Sequence, residues 1–141
     1  MTARIRPFQP DDYDRAFTLW QNSDGVGLSS ADSRENILAY LLRNKGTSFV
    51  AEEEQRIIAT ILGGHDGRRG YIHHLCVHDG YRRQGLGNML VTHCLDALKA
   101  LGIQKCHIFI LNDNHTGLAF WKQIGWHHRN DISLVSRTLE A

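Results

Sequence analysis

Arg82-Arg83-Gln84-Gly85-Leu86-Gly87 combines two ingredients of a phosphate cradle: forked cationic donors and backbone without side chains. It lies between a run that reads as a strand, Tyr71 to Val77, and one that reads as a helix, Leu86 to Leu101. The helix carries apolar residues at Leu86, Leu90, Cys94, Ala97, Leu98 and Leu101. A helix start exposes unpaired N–H groups bearing roughly half a positive charge, and two arginines beside them add full charge. This chemistry suits a diphosphate. Gly80 to Gly85 has the G-x-x-x-x-G spacing of a nucleotide loop, but Leu86-Gly87 stands where Lys-Ser/Thr is required. Gly85-Leu86-Gly87-Asn88-Met89-Leu90 opens like a dinucleotide fingerprint and then places Leu90 where the third glycine belongs. Neither nucleotide reading holds.

A second segment narrows the choice. Asn114-x-x-Gly117 is followed by Phe120-Trp121-Lys122-Gln123-Ile124-Gly125-Trp126, read as an Asn-headed short helix with a glycine stop. The first stretch resembles the Arg/Gln-x-x-Gly-x-Gly/Ala signature of the N-acetyltransferases of the GNAT family. The second resembles that family's later Asn-x-x-Ala and Tyr-x-x-x-Gly-Phe motif, in the right order and at matching offsets. The resemblance implies one N-acetyltransferase domain over residues 1–141, of mixed α/β class. Its fold would be a single twisted sheet of about six to seven strands flanked by about four helices. It further implies acetyl-CoA as co-substrate and no metal. Its diphosphate would be held by Arg82, Arg83, Gln84, Gly85, Leu86, Gly87 and Asn88. The acetyl and pantetheine parts would lie along Leu75, Cys76 and Val77 of a strand splayed by a bulge, with Asn114 and Trp121 completing the site.

The chemistry so implied is attack of a free amine on a thioester. It needs a deprotonated amine, oxyanion stabilisation and a proton for the leaving thiolate. Strict alternation along the strand places Tyr71, His73 and Leu75 on one face and Ile72, His74 and Cys76 on the other. Tyr71-Ile72-His73-His74-Leu75-Cys76-Val77 resembles family members acting on arylalkylamines, in which the positions of Tyr71 and His73 face the substrate. His73 and Tyr71 are therefore the candidate catalytic residues, His73 as the base. Trp121 breaks the family pattern, since a tyrosine often stands there to protonate the thiolate, and an indole N–H donates hydrogen bonds without releasing its proton. The proton would then come from water, from the substrate ammonium, or from another residue such as Tyr81 or Tyr71.

Composition bounds the rest. A chain of 141 residues with 42% hydrophobic content can bury a core as one domain. A net charge of +1 gives no electrostatic case for nucleic acid or membrane. No apolar run approaches the ~20 residues of a membrane span. The N-terminal Met1-Thr2-Ala3-Arg4-Ile5-Arg6 lacks the apolar stretch of a secretion signal. Cys76, Cys94 and Cys106 form no C-x-x-C pair and read as reduced thiols, so a cytoplasmic enzyme is expected. A homodimer is left open.

The expected order is strand Ala3–Pro7, helices Asp11–Gln21 and Ser33–Leu42, then strands Ser48–Glu53, Arg56–Gly63 and Tyr71–Val77. The long helix, strand Cys106–Leu111 and short helix Thr116–Ile124 follow, with closing strands at Trp126–His128 and Ile132–Thr138. Asp11-Asp12 should cap the first helix and Asp32 or Ser33 the second. Turns are expected at Glu53-Glu54-Gln55 and Asp66–Gly70. The acceptor is expected to be a primary amine on a small molecule or an amino-acid-like compound. The alternatives are a protein lysine or N-terminus, and a catalytically weak acyl-CoA-binding module.

Overall fold

The structure is a computed structural model that describes residues 3–139, and the chain divides into two compact units, residues 1–109 and 110–141. The first unit carries β1 (Arg4–Pro7), α1 (Tyr13–Gln21), α2 (Arg34–Arg43), β2 (Phe49–Glu53), β3 (Arg56–His65), β4 (Gly70–Val77), α3 (Leu86–Ala100) and β5 (Cys106–Ile108). Short 3-10 turns at Pro10–Asp12, Ser30–Asp32 and Asp79–Tyr81 precede the three helices. One five-stranded sheet runs in the order β1-β2-β3-β4-β5. Its first four strands are antiparallel neighbours, and β5 joins β4 in parallel after the α3 crossover.

The two glycines of β3 show how the faces are divided. A Cβ at Gly63 would run into Cys94 Sγ of α3, while one at Gly64 would meet the Tyr40 hydroxyl of α2 at 2.6 Å. Successive strand residues point to opposite faces, so α2 and α3 cover opposite sides. α1 shares the side of α2, where Trp20 Nε1 donates to Thr60 Oγ1 of β3 at 2.9 Å. Phe8, Tyr13, Ala16, Leu19, Trp20, Ile37 and Leu62 pack there as the main apolar cluster. On the other side α3 buries Leu86, Leu90, Val91, Cys94 and Leu98, close to the expected stripe, while Leu101 is exposed.

The entry to α1 is fixed electrostatically. Asp12 is buried, and Arg6 grips it with two 2.8 Å hydrogen bonds, from Nη1 to Oδ2 and from Nη2 to Oδ1. Arg15 Nη2 adds a third at 2.8 Å, and Gln9 N–H donates to Oδ2 at 2.8 Å. Arg6 also reaches Glu52 of β2, at 3.2 and 3.1 Å, so the network ties β1, α1 and β2 together. Asp12 thus reaches back across the turn instead of capping forward. At α2 it is Ser33 that caps, its Oγ accepting from Asn36 N–H at 3.2 Å.

Both expected hairpins form. Glu54 and Gln55 have φ of 51° and 67°, the two left-handed residues of a type I′ turn, without the glycine that usually fills it. Asp66 Oδ1 accepts the N–H groups of Arg68 and Arg69 at 2.8 Å each.

Two expectations fail at the C-terminal side. β5 ends at Ile108 instead of Leu111, and no strand forms at Trp126–His128 or Ile132–Thr138, so the sheet has five strands among the described residues. The second unit holds α4 (His115–Gln123) and then a segment without helix or strand up to residue 139. Ile132, Leu134 and Val135 are exposed in it. Alternation marks a chain that could pair, but a strand exists only where its backbone groups find a partner edge.

Candidate active site

β4 departs from regular pairing in two ways. Thr60 faces Cys76 and Leu62 faces His73, so β3 spends one residue, Ile61, where β4 spends His74 and Leu75. This is a bulge, and His74 sits at φ 49°, a left-handed conformation that a non-glycine residue adopts at a cost of roughly 1 kcal/mol or more. Thr60 Oγ1 donates to the His74 carbonyl at 2.9 Å and holds the bulge closed against β3. On its other edge, β4 pairs with β5 only through Gly70, Tyr71 and Ile72. From His73 to Val77 that edge has no strand partner among the described residues. The parallel pair therefore parts at its C-terminal end, next to the N-terminus of α3, the usual place for a ligand in such sheets.

The bulge corrects the expected faces. His73, opposite Leu62, lies on the α1–α2 side with its ring 6.3 Å from Tyr40. His74, its immediate neighbour, lies on the same side: its ring is edge-on to Trp20 at 4.8 Å and its Nε2 is 2.6 Å from Asp32 Oδ1. Cys76 joins them there, its Sγ–H donating to Ser23 Oγ at 2.9 Å. Tyr71 stacks on Phe109 at 6.1 Å and approaches His107 at 5.7 Å, and Phe109 is also 6.5 Å from His73. Tyr71, His73, Tyr40 and Phe109 thus form one half-open aromatic wall.

Asp32 is the residue that sequence reading missed. It stands 42 residues before His74, so nothing local links them. Its Oδ2 accepts Ser29 N–H at 2.9 Å and its carbonyl accepts the Tyr13 hydroxyl at 2.6 Å. His73 is held below the ordinary imidazole range by burial and then by the adjacent His74, with Asp32 opposing. It is therefore neutral at pH 7. Burial pushes the Cys76 thiol up, against the Ser23 hydrogen bond, and so keeps it protonated.

The loop after β4 fits a diphosphate. Gly85 is the N-cap of α3 with φ 81°, and no side chain caps the helix. A side chain at Gly85 would meet open space, so its left-handed backbone, not crowding, is what calls for glycine. The unpaired first-turn N–H groups are left for a ligand. Arg82, Arg83, Gln84 and Asn88 are exposed around them, and Gly87 is half-buried. Arg82 is paired with Asp79 at 3.2 Å and its Nε donates to the Val77 carbonyl at 3.4 Å. The Leu86 side chain is buried in the core, which leaves its backbone N–H as its contribution. Tyr81 donates to Glu53 at 2.9 Å, and that bond raises its phenol above the ordinary range. A cavity of about 440 Å³ opens beside the end of β4, bounded by Leu19, Asn22, Ser23, Ile57, His78 and Asp79.

In the second unit, Asn114 Oδ1 accepts Gly117 N–H at 2.9 Å and caps α4, so this oxygen is already committed. Trp121 is buried, its ring edge-on to Trp126 at 4.6 Å and to Phe120 at 5.4 Å.

These features match known proteins. The model of the acetyltransferase (GNAT) family fits residues 11–126. Three solved structures share the fold at low identity. The PaiA N-acetyltransferase of Thermoplasma acidophilum, solved with coenzyme A, is 17% identical at a TM-score of 0.77, over 89% of each chain. The aminoglycoside 6′-N-acetyltransferase AAC(6′)-Ig of Acinetobacter haemolyticus is 17% identical at 0.76, over 97% of this chain and 99% of its own. The ribosomal-protein-S18-alanine N-acetyltransferase of Escherichia coli is 17% identical at 0.70, over 88% and 77%. An uncapped, glycine-headed helix start at the end of a bulged strand, within a family match over most of the chain, identifies the protein as a member of the acetyltransferase (GNAT) family, an acetyl-CoA-dependent acyltransferase.

Proposed function

We propose that this enzyme transfers the acetyl group of acetyl-CoA directly to a primary amine on a small molecule or an amino-acid-like compound. The observation that supports a compact acceptor is the aromatic wall of Tyr71, His73, Tyr40 and Phe109 beside the bulge. Ring faces of this kind receive an apolar or flat substrate body, while the neutral imidazole of His73 offers an acceptor for an N–H. Leu75, Cys76 and Val77 present backbone groups on the open edge of β4 to the acyl chain and its oxyanion. The exposed loop and first turn of α3 receive the diphosphate.

The amine nitrogen forms a C–N bond to the thioester carbon, the C–S bond breaks, and the thiolate takes a proton that the nitrogen sheds as the amide forms. A thiol with pKa near ~8.5 leaves without a dedicated acid. Trp121, buried against Trp126, then has a packing role, and Trp121→Phe is expected to change turnover less than about threefold, since neither ring supplies a proton. Trp121→Tyr should leave the basic limb of the pH–rate profile in place. A new limb near the tyrosine pKa of about 10, with faster turnover, would show that protonation of the thiolate is limiting after all.

The function itself is tested by following CoA thiol release across small amines, amino acids, an aminoglycoside and short peptides. Turnover of a small amine with kcat/KM at least about tenfold above any peptide is the expected result, tenfold being roughly 1.4 kcal/mol of discrimination. Turnover of peptides alone would establish a protein acceptor. Tight CoA binding without turnover of any amine would leave an acyl-CoA-binding module.

A further inference from the structure

We propose that His74, aligned by Asp32, is the base that takes the acceptor's ammonium proton, with Asp32 as its positioning residue. The proposal rests on the acetyl-transfer reading above and assigns the base within it. The argument begins with the 2.6 Å contact between His74 Nε2 and Asp32 Oδ1. An ionised carboxylate only accepts hydrogen bonds, so Nε2 carries the hydrogen and the lone pair of the neutral ring lies on Nδ1. The carboxylate is itself held: Ser29 N–H occupies Oδ2 and the Tyr13 hydroxyl fixes the backbone carbonyl. His74 and Asp32 side chains are 13% and 9% exposed, so the pair is shielded from bulk water without being sealed.

The backbone supports the same assignment. Regular alternation would send His74 to the α3 side. The bulge, with its left-handed residue, turns it toward Asp32 and onto the face that carries His73 and Tyr71. Strain kept at one residue beside a ligand crevice is a feature of working sites. Among titratable and charged groups, Asp32 of the 3-10 turn touches the His74 ring and His73 adjoins it on the strand, while the Tyr13 hydroxyl of α1 bonds the Asp32 carbonyl and the Cys76 thiol is turned to Ser23. Arg34 lies beyond, 5.0 Å over the Tyr13 ring and paired with Asp14. Asp32 is the nearest full charge, and it favours the imidazolium that forms when the proton arrives. Among the described residues His73 has no hydrogen bond to a carboxylate, Asp32 acts on it only as a more distant charge, and burial disfavours its charged form.

The proton count closes. The ammonium gives one proton to Nδ1 and becomes the attacking amine, a second leaves the nitrogen for the thiolate as the C–S bond breaks, and the imidazolium later discharges to solvent.

The test has two arms. Nitrogen-15 spectra of the histidines in the free protein should show neutral His74 as the Nε2–H tautomer, and Asp32→Ala should lower the share of that tautomer. This arm needs no acceptor, so it stands even if the screen above finds none. With the amine that turns over fastest in that screen, His74→Gln should lower kcat by roughly 10²- to 10⁴-fold with CoA affinity intact. Asp32→Asn should lower kcat by a smaller factor than His74→Gln, again with CoA affinity intact. His73→Gln should raise KM more than it lowers kcat. His74→Asn, which tolerates left-handed φ, separates loss of the base from collapse of the bulge. A neutral Nδ1–H tautomer, an undiminished kcat in Asp32→Asn, or a larger kcat loss in His73→Gln than in His74→Gln would overturn the proposal.

Discussion

Gly85→Asp is expected to weaken CoA binding by about 10²- to 10³-fold relative to Gly85→Asn. The two side chains have nearly the same size, and both residue types tolerate the left-handed conformation in which Gly85 sits, at φ 81°. No neighbouring atom would obstruct the Cβ of either. The pair therefore isolates charge. A carboxylate beside one phosphate charge costs about 4 kcal/mol at ~4 Å with an effective dielectric near ~20, and ligand or side-chain movement relieves part of it. Calorimetric titration with CoA measures the ratio, and thermal melts confirm equal folding. Equal affinities in the two variants would mean that the diphosphate lies elsewhere.

The largest effect on stability is expected at Asp12. Asp12→Ala removes two hydrogen bonds from the Arg6 guanidinium and one ion pair from Arg15, leaving both arginines on Glu52, and should cost roughly 1.5–3 kcal/mol, the range for hydrogen bonds to a charged group. The effect should depend on acid. Burial pushes the Asp12 carboxyl up, but the Arg6 hydrogen bonds, the Gln9 N–H and the charges of Arg6 and Arg15 outweigh it and hold the group below the usual aspartate range. A depressed folded pKa stabilises fully above the unfolded value of about 3.9, and the stabilisation is lost as pH falls through the folded value. Urea melts of wild type and Asp12→Ala should thus differ most near pH ~7 and converge well below pH ~4. A constant gap down to acid pH would mean that the loss is one of packing.

The loop-helix unit was readable because it is local: glycine placement, a strand before it and a 3.6-residue stripe after it all lie within the stretch from Tyr71 to Ala100. The hairpins at Glu54-Gln55 and Asp66–Arg69 were readable for the same reason. The Asp32–His74 contact was not, because the bulge that creates it has no local signature, and strict alternation sends His74 the wrong way. Asp32 carried a sequence signal only as a helix cap, a role that Ser33 fills. Burial pushes the Cys94 and Cys106 thiols up to about 12 and about 11, although Cys106 is only half-buried, an environment no local spacing in the sequence announces. The stretch Ile132–Thr138 shows the converse error, an alternating pattern without the neighbouring edge that would make it a strand.

The bulge also acts as a ruler. Its extra residue shifts the strand by half a pleat, so Tyr71 and His73 face the α1–α2 side before it, and Cys76 faces that side after it. Deleting His74 or Leu75 leaves the strand two choices. Either the phosphate loop is drawn back by one residue, about 3.3 Å, or Tyr71 and His73 exchange sides with Ile72. The spacing between the aromatic wall and the start of α3 therefore changes only in whole residues.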